Sequence, residues 1–492
     1  MALLLVGIVL IVVSLLQGDT SRVDADDAPV NVGAGNLSDI SAHNSPTVVR
    51  SPRDAGRLVA TSRIDSPDFS CAVHVSSDGG ERWTRTRVPI PRGRARKCYA
   101  PDAVFAADGT LHVSYVTLQG AGNTPSAAWI ASSRDGGRTL SAPRRVAGPL
   151  AFQVRLTSDP ERAGTLYLSW VQARSVATLR FTGPGNPILI ARSDDAGRTW
   201  SSPARVNAAG RGRVLAPSAA VGRGGELYVL YLDVGDDRLD YEGGHEGFGG
   251  PPYAGRFTLV LGRSRDRGAT WEESVVDDGV VPTTRFIAFL PPFPSLAVDR
   301  DSGRIHVAYQ DGRLGSADVW LWTLDPQTSS WGRPVRVNDT PRRDGTSQYL
   351  PQIDVAPDGR VDVVYYDRRD DGRRDVLNEV SLQTSDDGGR TFAPRISLTS
   401  SYFDSRVGFG SERDLPELGS RLGLVSDANG AFAVWSDTRA GTDASSKQDL
   451  YRAAVEVGQR QTAASVLLFV GAALALGGVL LAGAAVRRRR PE

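Results

Sequence analysis

Among the carboxylate and tyrosine side chains of the 492-residue sequence, the candidates for glycoside hydrolysis are Asp65, Asp68, Tyr349 and Glu417. Cleavage of a glycosidic bond uses two carboxyl groups, or a tyrosine nucleophile activated by a glutamate, held around the scissile bond. The four residues are weak candidates for catalysis because the sequence alone does not bring them together. The elements that would position them therefore have to be identified first.

An eight-residue pattern of Ser, Asp, Gly, Thr and an aromatic residue marks those elements. Its fullest form is Ser193-x-Asp195-x-Gly197-x-Thr199-Trp200. The same spacing recurs at Ser264–Trp271 and Ser385–Phe392, looser copies surround Asp78 and Asp135, and a degenerate copy lies at Asp325–Trp331. Ser and Asp side chains accept backbone N–H groups, Gly supplies a positive φ, and the aromatic ring packs under the hairpin. Each copy therefore predicts a turn between two strands.

Strands are predicted on both sides of each turn. A proline, a short apolar strand, an Asp/Gly turn and a second strand come before it, and one more strand follows, giving four strands in about 55 to 75 residues. Seven such units begin near Pro46, Pro101, Leu156, Pro217, Pro294, Pro351 and Leu422. The last unit has no fourth strand of its own, and residues 28–32 are predicted to supply it. The sequence thus predicts an all-β, seven-bladed β-propeller over residues 28–457, with six blades as the alternative if the first or third unit is a decoration.

The turns at Ser193–Trp200, Ser264–Trp271 and Ser385–Phe392 resemble the Asp-box, or bacterial neuraminidase, repeats of the sialidase superfamily. The resemblance covers nearly all of residues 28–457. It implies structural roles, away from the catalytic mouth, for the box aspartates Asp78, Asp135, Asp195, Asp266 and Asp387.

The resemblance also implies a catalytic set: three arginines that bind a sugar carboxylate, a Tyr activated by Glu, and an Asp as acid/base. The first of those arginines belongs to an Arg-Ile-Pro motif in the family, and here the corresponding stretch reads Asn44-Ser45-Pro46. Asn cannot make the bidentate, charge-assisted pair that a carboxylate favours. We therefore expect an incomplete sialidase catalytic set.

Other residues are candidates for substrate binding. The positions equivalent to Asn44 in other units carry Tyr99, Leu215, Pro292 and Tyr349, while Arg155 and Arg421 fall one residue from the aligned site and could replace the missing arginine. Two loops rich in polar and aromatic residues, 233–257 and 283–294, are predicted to form a ligand surface, the second through Arg285 and Phe293. The predicted substrate-binding residues are thus Arg155, Arg285, Arg421 and Tyr99.

Three further patterns have a structural and a functional interpretation. An Asp-x-Arg element recurs at Asp311, Asp367 and Asp437, and such recurrence favours a repeated salt bridge or turn over a ligand site. The acidic run at 367–375 resembles a calcium loop, but four interleaved arginines oppose a metal. Cys71 and Cys98 are read as a disulfide between neighbouring blades, with two separate buried thiols as the alternative. We expect no metal and no cofactor.

Apolar segments flank the predicted propeller. Residues 466–486 form an uncharged stretch of bilayer-spanning length, after a linker at 458–465 and before the basic tail at 487–492. Residues 1–25 are predicted to hold a signal peptide or a second membrane segment. The positive-inside rule places the C-terminus in the cytoplasm, so the sequence predicts a single-pass membrane protein with an extracytoplasmic propeller.

Composition narrows the partners. The 57 basic and 56 acidic residues nearly cancel, which gives no reason to expect nucleic-acid binding. The favoured interpretation is a cell-surface propeller that binds a glycan or a cell-envelope protein, or acts as a scaffold, without a complete catalytic set. The alternative is an exo-acting glycoside hydrolase of the sialidase type, and a third is an assembly factor for membrane complexes. The oligomeric state is not predicted.

Overall fold

The computed structural model of this chain describes residues 22–23, 27–36, 38–94, 97–175, 185–237, 253–283, 293–372, 374–410, 418–442 and 444–457. Across those ranges no helix is long and apolar enough to cross a membrane. The predicted membrane segment at 466–486, the linker before it, the basic tail after it and the first apolar segment at 2–16 all lie outside the described residues.

The first three blades are four-stranded antiparallel sheets, preceded by two short strands. The short strands are β1 (Arg22–Val23) and β2 (Ala28–Pro29). Blade 1 contains β3 (His43–Ser51), β4 (Asp54–Ile64), β5 (Ser70–Ser76) and β6 (Thr84–Thr86). Blade 2 contains β7 (Cys98–Phe105), β8 (Leu111–Gln119), β9 (Thr124–Ser133) and β10 (Arg144–Ala147). Blade 3 contains β11 (Ala151–Ser158), β12 (Leu166–Gln172), β13 (Ile188–Ser193) and β14 (Ala204–Arg205).

The remaining four blades repeat this order. Blade 4 contains β15 (Val214–Val221), β16 (Leu227–Asp233), β17 (Phe257–Ser264) and β18 (Glu272–Val280). Blade 5 contains β19 (Ser295–Val298), β20 (Ile305–Asp311), β21 (Asp318–Asp325), β22 (Ser330–Trp331) and β23 (Val335–Arg336). Blade 6 contains β24 (Gln348–Val355), β25 (Val361–Asp367), β26 (Leu377–Ser385), β27 (Ile396–Ser397) and β28 (Phe403–Asp404). Blade 7 contains β29 (Gly423–Ser426), β30 (Gly430–Asp437) and β31 (Asp449–Glu456). Single 3-10 turns occur at Arg223–Gly225 and Ser405–Val407.

The first strands of successive blades contact one another in a ring that runs from β3 to β29 and back to β3. The first strand of every blade is therefore the innermost, and the predicted seven-bladed all-β propeller is confirmed. Because neighbouring strands are antiparallel, first and third strands begin at the same end of the propeller, where second and fourth strands finish. We call that end the upper face and the opposite end the lower face.

Blade 7 is completed by the N-terminal part of the chain, as predicted. Ala28 and Pro29 of β2 pair with Arg452 and Tyr451 of β31. Next to this pairing, the Asn31 amide donates to the Asp449 carboxylate at 2.8 Å. Ring closure by a strand from the other end of the chain leaves blade 7 with no missing strand.

A second, smaller compact unit comprises residues 1–24, 429–431 and the chain from 454 onward. In its described part, Arg22 and Val23 of β1 pair with Glu456 and Val455 of β31.

The second strands lie deepest in the blades. Six of the seven residues of β16, Leu227–Leu232, are buried, and all seven of β20 are. A second strand has sheet neighbours on both edges and another blade against each face, so both sets of side chains leave water. These strands consequently read as apolar runs and form the bulk of the hydrophobic core.

The eight-residue turns join third to fourth strands at the lower face. In the fullest copy, Ser193 Oγ donates to Asp195 and accepts from the Gly197 N–H, both at 2.8 Å. Asp195 also accepts from the Thr199 N–H at 2.8 Å and from its hydroxyl at 2.6 Å. These hydrogen bonds hold the pKa of Asp195 down at about 2. The same network is repeated around Asp135, Asp266 and Asp387, and without the threonine around Asp78.

Candidate functional site

A left-handed residue opens the innermost strand in five of the blades. The residues with positive φ are Ser45, Ala100, Gln153, Ala216 and Leu350. At each of them the pairing between the first and second strand slips, as it does between Asn44 and Thr47. A bulge of this kind re-aims the side chains around it. The start of each innermost strand, on the upper face, thus becomes a place where side chains can turn toward the axis.

Side chains from five blades meet there. The Phe293 N–H, leading into blade 5, donates to the Ser420 carbonyl, leading into blade 7, at 3.3 Å. The Arg155 guanidinium of blade 3 lies 5.5 Å from the centre of the Phe293 ring. Arg421, beside blade 7, donates to the Pro101 carbonyl of blade 2. None of these pairs joins adjacent blades, so the contacts can form only near the propeller axis. We call Arg63, Asp65, Tyr99, Asp102, Arg155 and Arg421 the axial cluster.

Arg421 is the most unusual member of the axial cluster. Its side chain is buried, and it donates to two backbone carbonyls, Pro101 O at 2.6 Å and Ser45 O at 3.3 Å. In the described part of the chain no carboxylate forms an ion pair with it. Burial, reinforced by the positive charge of Arg155, lowers the pKa of Arg421 to about 10. A buried cation held only by neutral carbonyls is costly, and an anion beside it would relieve that cost.

The close approach of blade 7 to blade 1 fixes this arginine. Gly419 has a φ of +97, and a Cβ on it would lie 2.4 Å from the Ser45 nitrogen. The Ser420 N–H donates to Ser45 Oγ at 3.1 Å. Only glycine allows the two segments to pass so closely, and this contact sets the position of the next side chain, Arg421.

The other two arginines of the axial cluster each have a carboxylate partner. Arg63 pairs with Asp65 at 2.6 Å, and its guanidinium lies 5.0 Å from the centre of the Tyr99 ring. Arg155 pairs with Asp102 at 3.0 Å across the boundary between blades 2 and 3. Among the described residues, these three guanidinium groups have two carboxylate partners, Asp65 and Asp102, which leaves one positive charge uncompensated within that set.

Asn44 occupies the position that the family resemblance assigns to an arginine. It is fully buried, and its amide donates to Asp65 Oδ2 at 2.7 Å. The other carboxylate oxygen, Asp65 Oδ1, is buried and has no hydrogen-bond partner within the described ranges. Arg63, on the strand opposite Asn44, brings a guanidinium to the same carboxylate.

The predicted equivalence of Asn44, Tyr99, Leu215 and Tyr349 is confirmed, because each comes directly before a left-handed residue. In blade 3, however, that position is held by Phe152. The prediction that Arg155 lies one residue from the aligned site is wrong, since Arg155 lies opposite Ser169, in the register that Asp102 has in blade 2. The sequence alignment slipped because blade 3 has no proline at the start of its first strand.

The four catalytic candidates are not gathered in one place. Asp65 belongs to the axial cluster, while Asp68 is exposed in the turn that follows it. Tyr349 is fully buried in blade 6, where its hydroxyl donates to Asn378 at 2.7 Å and burial raises its pKa. Glu417 lies outside the described residues, as do the substrate-binding candidate Arg285 and most of the two predicted ligand loops. The structure brings together Tyr99, Arg155 and Arg421 of the predicted binding residues.

The Asp-x-Arg elements form a repeated structural motif at the upper face, as predicted. In each, the arginine side chain pairs with the aspartate two residues earlier, at 2.6 or 2.7 Å, and the three aspartates are fully buried. Each arginine also reaches a second carboxylate, as Arg313 reaches Asp277 on β18. In the calcium-like run, Asp371 accepts two backbone N–H groups and Asp375 pairs with Ser347. The described residues contain no group of three or more acidic, His or Cys side chains that could hold a metal ion.

Cys71 and Cys98 form a disulfide, which confirms the predicted link between blades 1 and 2. Cys71 lies on β5 and Cys98 begins β7. The disulfide is next to the axial cluster, because Cys71 pairs with Arg63 across two neighbouring strands and Cys98 directly precedes Tyr99.

Sequence reasoning missed Arg63 and Asp102 as members of the axial cluster. Arg63-Ile64-Asp65 stands at the end of a second strand, where other blades carry Asp-x-Arg, and this reversed order was a usable signal. No such sequence signal marked Asp102, because it follows Pro101 within a strand and belongs to no recurring motif.

The fold and the axial cluster define a β-propeller with an arginine-rich axial site. No family model matches the sequence, and no curated protein matches it. Among solved structures, a protein of unknown function from Dyadobacter fermentans superposes with a TM-score of 0.49 at 13% identity, over 89% of this chain and 99% of that one. The Hadza microbial sialidase Hz136 superposes with a TM-score of 0.46 at 16% identity, over 81% of this chain and 73% of that one. A Penicillium chrysogenum α-L-arabinanase, complexed with arabinobiose, superposes with a TM-score of 0.42 at 18% identity, over 75% of this chain and 96% of that one.

Proposed function

We propose that this chain is a membrane-anchored, extracytoplasmic propeller that binds acidic glycans through its axial cluster. The observation that carries the proposal is Arg421, a buried guanidinium with no carboxylate partner in the described residues. A sugar carboxylate is a planar anion that matches guanidinium geometry.

Charge supports a monovalent acidic group as the ligand. One positive charge remains when Asp65 and Asp102 have neutralised two of the three arginines. A single uronate or sialate carboxylate would balance it. A phosphate diester or a sulfate monoester would also do so, but two aromatic rings, Tyr99 and Phe293, lie at the same place, and such rings suit the apolar face of a sugar.

Glycan binding without hydrolysis is favoured by the arrangement of the carboxylates. Both carboxylates of the axial cluster are already paired with arginine, and Asp102 also accepts the Leu156 and Ala103 N–H groups at 3.1 Å. A general acid needs a carboxyl group that can hold and release a proton at the substrate. Neither aspartate has the surroundings for that role.

An exo-acting glycoside hydrolase is the second candidate, and Asp65 is the reason to keep it. Its buried Oδ1 has no hydrogen-bond partner among the described residues, so this oxygen could accept a hydrogen bond from a sugar hydroxyl if the side chain became accessible. In this case Asp65 would supply the carboxylate chemistry and Arg421 the substrate carboxylate contact.

Binding and hydrolysis can be tested on the full chain in detergent. Calorimetric titration should detect glucuronic or sialic acid and should show no binding of the matching neutral sugars. Arg421→Met is expected to weaken binding by about 100-fold, because it removes a charge-assisted contact. Arg198→Met, an exposed arginine on the lower face, is the matched control and should bind normally. Equal binding by both variants would contradict the proposal.

A panel of aryl glycosides separates the two candidate functions. Release of the aryl group by the wild type, abolished in Asp65→Asn, would establish a hydrolase. Binding without release supports the recognition function. Membrane topology is tested separately by protease protection of intact cells, where the propeller should be cleaved from outside and the basic tail at 487–492 protected.

A further inference from the structure

A cleft of about 740 Å³ opens beside the disulfide at the outer side of blade 1. It is lined by Cys71 and Cys98 and by four arginines, Arg85, Arg87, Arg92 and Arg94, and none of the described residues in its lining is acidic. The four arginine side chains are exposed. Within the described ranges none of them forms an ion pair, unlike Arg82 nearby, which pairs with Asp78 at 3.3 Å.

This concentration of charge is local. The chain as a whole carries a net charge of only +1, so the cleft cannot owe its charge to a generally basic protein. Four unpaired guanidinium groups around one concavity repel each other, and a bound anionic group would stabilise them.

Two residues that line the cleft, Cys71 and Cys98, are direct neighbours of residues of the axial cluster. Arg63 of that cluster lies opposite Cys71 on the neighbouring strand, and Tyr99 follows Cys98 in the chain. The cleft therefore begins on one side of the disulfide and the axial cluster on the other. Both lie at the upper face, where third strands such as β5 begin and fourth strands such as β6 end.

We propose that the cleft binds further acidic residues of the same polysaccharide whose terminal or side-chain acid occupies the axial cluster. The ligand is thus an anionic polysaccharide with repeated carboxylate or sulfate groups. This inference rests on the proposed function of the axial cluster. It adds that the ligand is a polymer with repeated acidic groups and is long enough to reach both sites.

Shape favours a polysaccharide over other polyanions. A bilayer is flat and would meet protruding cations, whereas these arginines line a concave surface. An acidic peptide would gain most by pairing with an exposed strand edge, but β6 offers only three residues, Thr84–Thr86.

The test compares galacturonic acid with its octamer by calorimetry on the full chain. The wild type should bind the octamer about 30-fold more tightly than the monomer, and raised salt should erase most of that gain. The variant Arg85→Gln/Arg87→Gln/Arg92→Gln/Arg94→Gln should lose the gain while binding the monomer as before. Its four sites are exposed, and an unchanged Tm will confirm that it is folded.

The matched control removes the same charge at the lower face through Arg134→Gln/Arg138→Gln/Arg198→Gln/Arg390→Gln, four exposed arginines of the eight-residue turns. This control should keep the octamer gain. Retention of the gain by the cleft variant, or equal loss in both variants, would overturn the proposal. So would tighter, cleft-dependent binding of polyglutamate or of phosphatidylglycerol vesicles, which would assign the cleft to a protein or a membrane.

Failure of the axial proposal gives a different result. In that case monomer binding would be absent or would survive Arg421→Met, whatever the cleft variant does. Octamer binding that depends on the cleft alone would then show that the two sites do not share one ligand, and the proposal of a single polysaccharide in both would be wrong.

Discussion

Replacing Arg421 by methionine should stabilise the protein while weakening its binding of acidic sugars by about 100-fold. The pKa of Arg421 falls from 12.5 to about 10, which means that the buried charge costs the folded state about 3 kcal/mol. Methionine keeps the apolar stem and removes that cost. Two carbonyls lose a donor, but Pro101 O still accepts from the Thr61 hydroxyl at 3.0 Å. Only Ser45 O is left without its donor, at a cost of about 1 kcal/mol. The free energy of unfolding should therefore rise by about 2 kcal/mol.

The matched comparison is Arg63→Met in the same cluster. This change leaves the buried Asp65 carboxylate with only the Asn44 amide, so it should cost about 3 to 5 kcal/mol. Urea denaturation of both variants at pH 7, followed by tryptophan fluorescence, measures the difference. A destabilisation of Arg421→Met by more than about 2 kcal/mol would show that Arg421 is a structural residue, and the reasoning from its missing partner would be refuted.

Three other predictions concern stability. Asp195→Ala removes the hydrogen bonds to Ser193 and Thr199 at an exposed turn, so the free energy of unfolding should fall by about 1 to 2 kcal/mol while sugar binding stays unchanged. Loss of sugar binding would argue against a purely structural turn. Burial lowers the pKa of His112 from 6.5 to about 4, so its contribution to stability is complete above pH 6.5, and about 3 kcal/mol of the free energy of unfolding is lost as the pH falls through 4. His112→Gln should flatten this part of the pH–stability curve, and an unchanged slope would contradict the assignment. Cys71→Ser/Cys98→Ser removes a covalent link between residues 27 positions apart, so the free energy of unfolding measured in urea should fall by about 3.5 kcal/mol. An equal free energy of unfolding for the variant and the wild type would show that the disulfide does not stabilise the protein.

The propeller could be predicted from the sequence because its signals are local and repeated. The turn around Asp195 needs only the eight residues that form it, and the same chemistry recurs at Asp266 and Asp387. Closure by residues 28–32 was also predictable, since blade 7 lacked a strand and the N-terminal stretch resembled one. The disulfide followed from the position of its two cysteines in neighbouring units.

The axial cluster could not be predicted in the same way. Its members come from separate blades, and the contact of Arg421 with Pro101 spans 320 positions of the chain. The bulges at residues such as Gln153 decide which side chains turn toward the axis, and a shift of two residues in blade 3 was enough to misplace Arg155. Arg63 was missed because it lies on the strand opposite Asn44, 19 positions later in the chain, and only the strand pairing brings the two residues together.

Closure of blade 7 also governs when the protein can finish folding. Asn31 and Asp449 are 418 residues apart, so the last strand pairing waits until almost the whole propeller has been synthesised and has reached the same compartment as its beginning. Contacts of such long range form slowly. Until then the outer edge of β31 is an unpaired strand that can join another chain. A nascent chain that ends before residue 449 lacks β31 and is consequently an open ring, because β2 then has no strand to pair with.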